Sequence, residues 1–220
     1  MLMIFDCDGV VVDSMRLHTE VEAEAYQTIG IDISPDELVR RFSGVSDAEV
    51  HRILSQETGR AVPTDIAVQI DRRKEEVFSQ RLKPIAGIRD ALAAINNIPR
   101  CIASGTGVDG LKHMLGVVEL FDLFSPHIYS SEMVERGKPF PDLFLHAATQ
   151  MGHATDDCWV IEDGVAGVQA GKAAGMRVFG FIGGSHCGEG HGDRLKAAGA
   201  EVIFSEMREL PCLIEQYCRI

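Results

Sequence analysis

Two carboxylates one residue apart, Asp6 and Asp8, stand directly after the unbroken apolar run Leu2 to Phe5 and are followed at once by Gly9. Such a run suits a strand buried on both faces. A buried strand has no structural use for two acids at its carboxyl end. Like charges this close raise each other's pKa, so something must hold them ionised. A hard divalent cation does so, and Mg²⁺ takes carboxylate and carbonyl oxygens while keeping several waters. The plainer alternative is a turn after a strand, since Asp and Gly both favour turns.

The elements that must position these acids alternate in character along the chain. From Met15 to about Leu82 the pattern is helical. Leu17, Val21, Ala25 and Ile29 recur at i, i+4, and Gly30 is a natural helix stop. Ser34-Pro35-Asp36-Glu37 reads as a new helix start, with acids near the positive end of the dipole. A break follows at 42–47, and a charged helix is predicted over 64–81. After Lys83-Pro84, strands are predicted at 101–103, 126–129, 158–161, 177–182 and 201–204. Helices are predicted between them at 88–95, 109–117, 141–151, 165–174 and 194–198, with a last one near 209–217. Alternation of this kind implies an α/β fold, a three-layer Rossmann-like parallel sheet with helices on both faces. The predicted division is an α/β core of residues 1–14 and 83–220, with an inserted helical cap of residues 15–82.

In such sheets ligands bind beyond the carboxyl ends of the strands, at a topological switch point. Asp6 and Asp8, Ser104 and Thr106, and Glu162 and Asp163 all follow predicted strand ends, so they gather on one rim. Lys138 adds a cation near a helix start. Acids alone would suit metal storage or glycoside chemistry. A lysine, hydroxyls and Gly-rich turns beside a metal point instead to an anion with several oxygens, such as phosphate. In-line phosphoryl transfer needs an attacking oxygen, charge neutralisation and an acid for the leaving group. A carboxylate can serve as the nucleophile.

Composition narrows the partners. The 220 residues suffice for one sizeable core with a smaller insertion. With 33 acidic against 21 basic residues, the formal net charge of −12 repels phosphate backbones, so no nucleic acid partner is expected. A small phosphorylated metabolite remains compatible, because a bound cation and a few local basic groups reverse the field at one site. No apolar run approaches bilayer length and no signal core follows the start, so no membrane partner and a cytoplasmic location are expected. Cys7, Cys101 and Cys158 lie in apolar strand-like runs. Cys187, Cys212 and Cys218 are scattered, so no disulfide framework is expected.

Four motifs in order resemble those of the haloacid dehalogenase superfamily, in the branch containing β-phosphoglucomutase and small sugar-phosphate phosphatases. They are Phe5-Asp6-Cys7-Asp8-Gly9-Val10 with Asp13-Ser14; Ala103-Ser104; Gly137-Lys138-Pro139 with Pro141-Asp142; and Ile161-Glu162-Asp163-Gly164 leading to Gly167, Ala170-Gly171 and Ala174-Gly175-Met176. The resemblance implies that Asp6 is the nucleophile and Asp8 the general acid/base, while Ser104 and Lys138 hold the transferring phosphoryl group. It implies Mg²⁺ bound by Asp6, the main-chain carbonyl of Asp8 and Asp163, with Glu162 as a further or water-mediated ligand. Gly164 and Gly105 replace commoner polar residues, which alters hydrogen bonding on the phosphate side but removes no principal group.

Substrate choice is expected to lie with the cap. His18 matches a histidine of the phosphoglucomutase, and 41–46 resembles that enzyme's specificity loop around Gly44. The basic residues flanking that loop's glycine are missing here, which weakens the mutase reading unless Arg41, Arg73 or Lys74 compensates. The expected substrate-binding set is His18, Gly44, Ser104, Gly105 and Lys138. The glycine-rich stretch 183–191, with His186, Cys187 and His191, could imitate a transition-metal site, but its glycines favour a loop forming one wall of the pocket. The leading expectation is a Mg²⁺-dependent phosphomonoesterase. Its alternatives are a phosphomutase using the same aspartyl-phosphate, or a non-catalytic protein on this fold. A dehalogenase is disfavoured because Asp8 would have no leaving alcohol to protonate.

Overall fold

The computed structural model describes residues 1–42 and 47–217, without the side chains of Asp47 and Ala48. Gly44 and its neighbours Ser43, Val45 and Ser46, expected to form the specificity loop, lie outside the described residues, as does Cys218. The apolar run at the start forms β1 (Leu2–Phe5), which is buried along its whole length. It pairs in parallel with β2 (Arg100–Ser104) on one side and with β4 (Cys158–Glu162) on the other. With β3 (Ile128–Ser130), β5 (Arg177–Phe181) and β6 (Val202–Phe204), they build one parallel sheet in the order β3-β2-β1-β4-β5-β6.

Side chains on a strand alternate between faces, so β1 serves two cores. Met3 and Phe5 point to the face covered by α5 (Ile88–Ala94), α6 (Val108–Val117) and α10 (Leu210–Tyr217), through residues such as Leu92, Leu111 and Leu210. Leu2 and Ile4 point to the other face, covered by α7 (Asp142–Met151), α8 (Val165–Ala173) and α9 (His191–Ala198), through Phe144, Val168 and Leu195. A strand flanked on both faces cannot alternate apolar with polar residues, which explains the unbroken run. The described cysteines are all free, and Cys7, Cys101 and Cys158 are buried.

Between β1 and α5 the described residues carry four helices and no strand: α1 (Met15–Thr28), α2 (Pro35–Phe42), α3 (Asp47–Thr58) and α4 (Thr64–Arg81). α1 ends just before Gly30, which adopts a left-handed φ of 75°. The chain leaves and returns through two adjacent stretches. The Asp13 N–H donates to the Lys83 carbonyl at 2.9 Å, and the Ile85 N–H donates to the Val11 carbonyl at 3.0 Å.

Two boundaries depart from the sequence reading by more than one residue. β3 spans 128–130 rather than 126–129, because its hydrogen-bonded register with β2 begins only at Ile128 opposite Ile102. α9 begins at His191 rather than Arg194, preceded by Gly190 at a left-handed φ of 71°, so His191 belongs to a helix and not to the glycine-rich loop. The expected carboxyl-end rim is present. Asp6 follows β1, Ser104 ends β2, and Glu162 ends β4 with Asp163 next.

Ile4 is fully buried at the centre of the central strand. Ile4→Ala is expected to destabilise the chain by about 2–5 kcal/mol through lost burial and the cavity left behind, read as a lowered urea midpoint with an unchanged m-value.

Candidate active site

Gly9 makes the turn after β1 possible. Its φ of 78° lies in the left-handed region, and a Cβ there would overlap the Asp163 carboxylate. The amides of Val11 and Val12 both donate to the Cys7 carbonyl, at 2.9 and 3.0 Å, closing a tight loop. Asp6 and Asp8 therefore leave the same strand end into two different environments.

Asp6 is buried beside Lys138, whose Nζ lies 2.6 Å from Asp6 Oδ1 and 2.5 Å from Glu162 Oε1. The other Glu162 oxygen accepts the Gly164 N–H at 2.9 Å. One ammonium is thus shared by two carboxylates, in the interior where water compensates little. Burial pushes Asp6 well above the usual carboxylate range, with Lys138 pulling the other way and the neighbouring acids adding to the rise. Glu162 is raised for the same reason, again against the pull of Lys138. Burial would lower Lys138, but the two carboxylates outweigh it and hold its pKa above the ordinary lysine value.

Asp8 is the opposite case. Ser14 Oγ donates to Oδ1 at 2.5 Å and His18 Nε2 lies 3.1 Å from the same oxygen. Thr106 Oγ1 donates to Oδ2 at 2.7 Å, with Ser104 Oγ farther off at 3.4 Å. Burial works to raise Asp8, yet the contacts with His18, Ser14 and Thr106 overcome it and hold the group well below the usual range. Two acids on one strand end are thereby driven apart, the pattern by which a site separates acid/base roles.

Asp163 is held from behind. His186 Nε2 lies 2.9 Å from Asp163 Oδ2, and His191 Nε2 lies 2.6 Å from the Asp163 carbonyl oxygen. Burial opposes the charged form of His186, but its bond to Asp163 prevails and raises it to about 10.

Except for Gly44, all the predicted site residues line one cavity of about 630 Å³, a size usual for small-molecule sites. α1 and α4 supply its other side through His18, Glu22, Asp71, Lys74 and Phe78. The 183–191 loop does not line it, contrary to the expectation of a pocket wall. It packs against Asp163 instead and is tied to Asp13, which accepts the Ser185 N–H at 3.0 Å and its hydroxyl at 2.8 Å. Ser14 and Thr106 are outside the expected site set, although Thr106 is expected on the rim. The available signals differ: Thr106 stands two residues after the end of β2, and Ser14 immediately precedes α1.

The carboxylates of Asp6, Glu162 and Asp163 are all buried and offer ligand oxygens within 4.8 Å of one another. Hard oxygen donors gathered where two acids share one ammonium suit a divalent cation such as Mg²⁺. The Asp8 carboxylate is not in this group. Its side chain is committed to hydroxyls and His18.

Comparison with known proteins agrees with this arrangement. A family model described as haloacid dehalogenase-like hydrolase matches residues 1–175. The 6-phosphogluconate phosphatase of Escherichia coli K12 is 33% identical over 185 residues, covering 84% of this chain and 83% of that protein. A conserved haloacid dehalogenase-like protein of unknown function from Agrobacterium tumefaciens C58 superposes with a TM-score of 0.89 at 38% identity, covering 99% of both chains. A HAD family hydrolase from Deinococcus radiodurans R1, solved with bound phosphate and sodium, gives 0.80 at 30% identity, covering 97% of this chain and 95% of that one.

Lys138→Met keeps the side-chain stem but leaves Asp6 and Glu162 buried without their cation. In metal-free buffer at pH 7.5 the loss is expected to be about 3–5 kcal/mol. Both acids are raised in the folded state, so the variant fold binds protons more tightly than the unfolded chain. The deficit therefore shrinks as pH falls toward the ordinary carboxylate range and is fully expressed above the raised values. Urea melts at pH 5.5 and 7.5 check both the size and the sign.

Proposed function

The chain belongs to the haloacid dehalogenase-like hydrolases, and on that footing we propose that it hydrolyses a small phosphate monoester, a sugar or sugar-acid phosphate, with Mg²⁺. The observation that carries the reading is the Lys138 ammonium 2.6 Å from Asp6 Oδ1 in the lining of the cavity, with Asp8 also lining it. This arrangement places a nucleophile, a cation for phosphoryl oxygens and a separate proton carrier around one point. The similarity to 6-phosphogluconate phosphatase supports the substrate class.

In this mechanism, Lys138 fixes one Asp6 oxygen, and the other attacks phosphorus. The bond from phosphorus to the ester oxygen breaks, and the leaving oxygen takes a proton from Asp8. The product is an aspartyl-phosphate on Asp6 and the free alcohol. Asp8, now a carboxylate, takes a proton from water whose oxygen attacks phosphorus. The bond from phosphorus to Asp6 then breaks, releasing inorganic phosphate and restoring the Asp6 carboxylate. In the resting site the donors around Asp8 favour its ionised, basic form. A phosphate ester arriving beside it adds like charge and raises its hold on a proton for the first step. Ser104 and Lys138 bind phosphoryl oxygens, and Glu162 anchors Lys138. Asp6, Asp163 and the Asp8 carbonyl would hold Mg²⁺, which when bound neutralises charge on the transferring group. The helices of residues 15–82 act as the cap, with His18 joining them to Asp8 and the Gly44 loop contributing to substrate choice.

A phosphomutase would need cations for a second phosphate at the far end of the cavity. Each of the three candidates for that task is paired with an acid. Arg41 pairs with Glu37 at 3.0 Å and Glu57 at 2.6 Å, Arg73 with Glu76 at 3.0 Å, and Lys74 with Glu22 at 2.6 Å. Asp71 and Glu75 add further negative charge on that wall. The far end therefore favours neutral hydroxyls over a second phosphate, and hydrolysis over mutation.

A phosphate-release screen over sugar, sugar-acid and glycolytic monophosphates is expected to show Mg²⁺-dependent turnover that EDTA removes. Asp6→Asn is expected to lower kcat at least about 1000-fold with an unchanged melting temperature. Near-normal turnover in that variant would remove Asp6 as nucleophile. Conversion of a hexose 1-phosphate to the 6-phosphate without free phosphate would replace the hydrolase reading with the mutase.

A further inference from the structure

We infer that the segment 183–191 is a support for the cation site, in which His186 and His191 are positioning residues for Asp163. The inference rests on the reading of Asp163 as a cation ligand. A carboxylate at a strand end can rotate about its side-chain bonds, and ligand affinity falls when a coordinating acid must be ordered on binding. Asp163 is fixed at two points instead. His186 Nε2 takes the side-chain oxygen Oδ2 at 2.9 Å, and His191 Nε2 takes the main-chain oxygen at 2.6 Å. Both imidazoles are buried. Their rings meet edge to face with centroids 5.6 Å apart, so each limits the rotation of the other.

The tautomer of His191 follows from its neighbours. Arg194 can only donate, and its guanidinium lies 2.9 Å from His191 Nδ1. Nδ1 is therefore the acceptor and Nε2 carries the proton given to the Asp163 carbonyl. Room for the arrangement comes from glycines. A Cβ on Gly9 would overlap Asp163 Oδ2 and stand 2.8 Å from the His186 ring, and a Cβ on Gly184 would also stand 2.8 Å from that ring. Ser185, anchored twice on Asp13, fixes the start of the segment to the chain that leaves β1. Ligand-orienting contacts of this kind typically change metal affinity 10–100-fold when removed.

His186, Cys187 and His191 also gather as a set that could take a soft metal, with ligand atoms within 4.8 Å of one another. The observed contacts favour the supporting role. His186 Nε2 is nearer to Asp163 Oδ2, at 2.9 Å, than to Cys187 Sγ, at 3.5 Å, and both nitrogens of His191 are engaged, one by the Asp163 carbonyl and one by Arg194.

The test is Mn²⁺ binding to the full chain, followed by loss of the free-ion EPR signal, beside melting temperature and the Mg²⁺ dependence of turnover. His186→Phe and His191→Phe keep ring volume but cannot donate. Each is expected to weaken Mn²⁺ at least about tenfold while remaining folded, and to raise the Mg²⁺ needed for half-maximal rate more than it lowers the rate at saturation. His186→Gln, which restores an N–H donor, is expected to recover most of the affinity. A folded pair of phenylalanine variants with wild-type Mn²⁺ affinity, alongside Asp163→Ala that has lost it, overturns the supporting role and leaves the hydrolase reading intact. If one phenylalanine variant does not fold, the other decides the matter. Wild-type protein that binds no Mn²⁺ overturns the ligand role of Asp163 and the inference with it. A thiolate-to-cobalt charge-transfer band with Co²⁺, lost in Cys187→Ser, would overturn the inference in favour of a soft-metal site.

Discussion

The site depends on burying negative charge without enough positive charge to match it. Asp6 and Glu162 lie in the interior and share the Lys138 ammonium. Removing charged groups from water costs several kcal/mol each, and only close partners offset that. Glu162 takes part by fixing the lysine on one side and accepting the Gly164 N–H on the other. Its approach to α8 explains another glycine, since a Cβ on Gly167 would overlap Glu162 Oε1. The cluster remains short of positive charge, a condition that favours a divalent cation and a phosphoryl group arriving together.

The same constraint gives two chemically identical side chains different properties. Asp6 and Asp8 are one residue apart, yet the hydroxyls of Ser14 and Thr106 and the ring of His18 surround only Asp8. Asp6 faces an ammonium and other acids. The division follows from strand geometry and the Gly9 turn, which send the two carboxylates toward different neighbours. His18 adds that one of Asp8's partners comes from α1, outside the sheet layers, with its ring against Phe78 of α4 at a centroid distance of 4.8 Å. The surroundings of Asp8 thus depend on the position of α1 and α4.

Much of this was legible in the sequence, for reasons that can be named. Strands covered on both faces leave unbroken apolar runs, and β1, β2 and β4 were placed to within a residue or so. Parallel strands bring their carboxyl ends together, so acids, a hydroxyl and a lysine far apart in sequence fell on one rim. What stayed hidden was pairwise. Whether a rim hydroxyl meets Asp8, as Thr106 does, or lies 3.4 Å away, as Ser104 does, depends on loop paths that periodicity does not encode. The 183–191 stretch packs behind Asp163 and not along the pocket; its glycines signal a turn without saying which way the turn faces. His191 was assigned to that loop because the helix it opens has few apolar residues in its first turn.

The place of β1 in the sheet has a consequence for how the molecule comes into being. Ile4 pairs with Cys101 on one side and with Val160 on the other. Both partners are therefore distant from β1 in the chain, and β1 is enclosed only once β4 has joined it on the side away from β2. Contacts of such high sequence separation slow folding, because the entropy of closing the long loop is lost before the pairing is gained. Until β4 has been synthesised, the nascent chain carries an apolar strand with an open edge, tipped by two acids. Charge beside an open strand disfavours pairing with a wrong neighbour, and Asp6 and Asp8 set it at the end of β1 from the start.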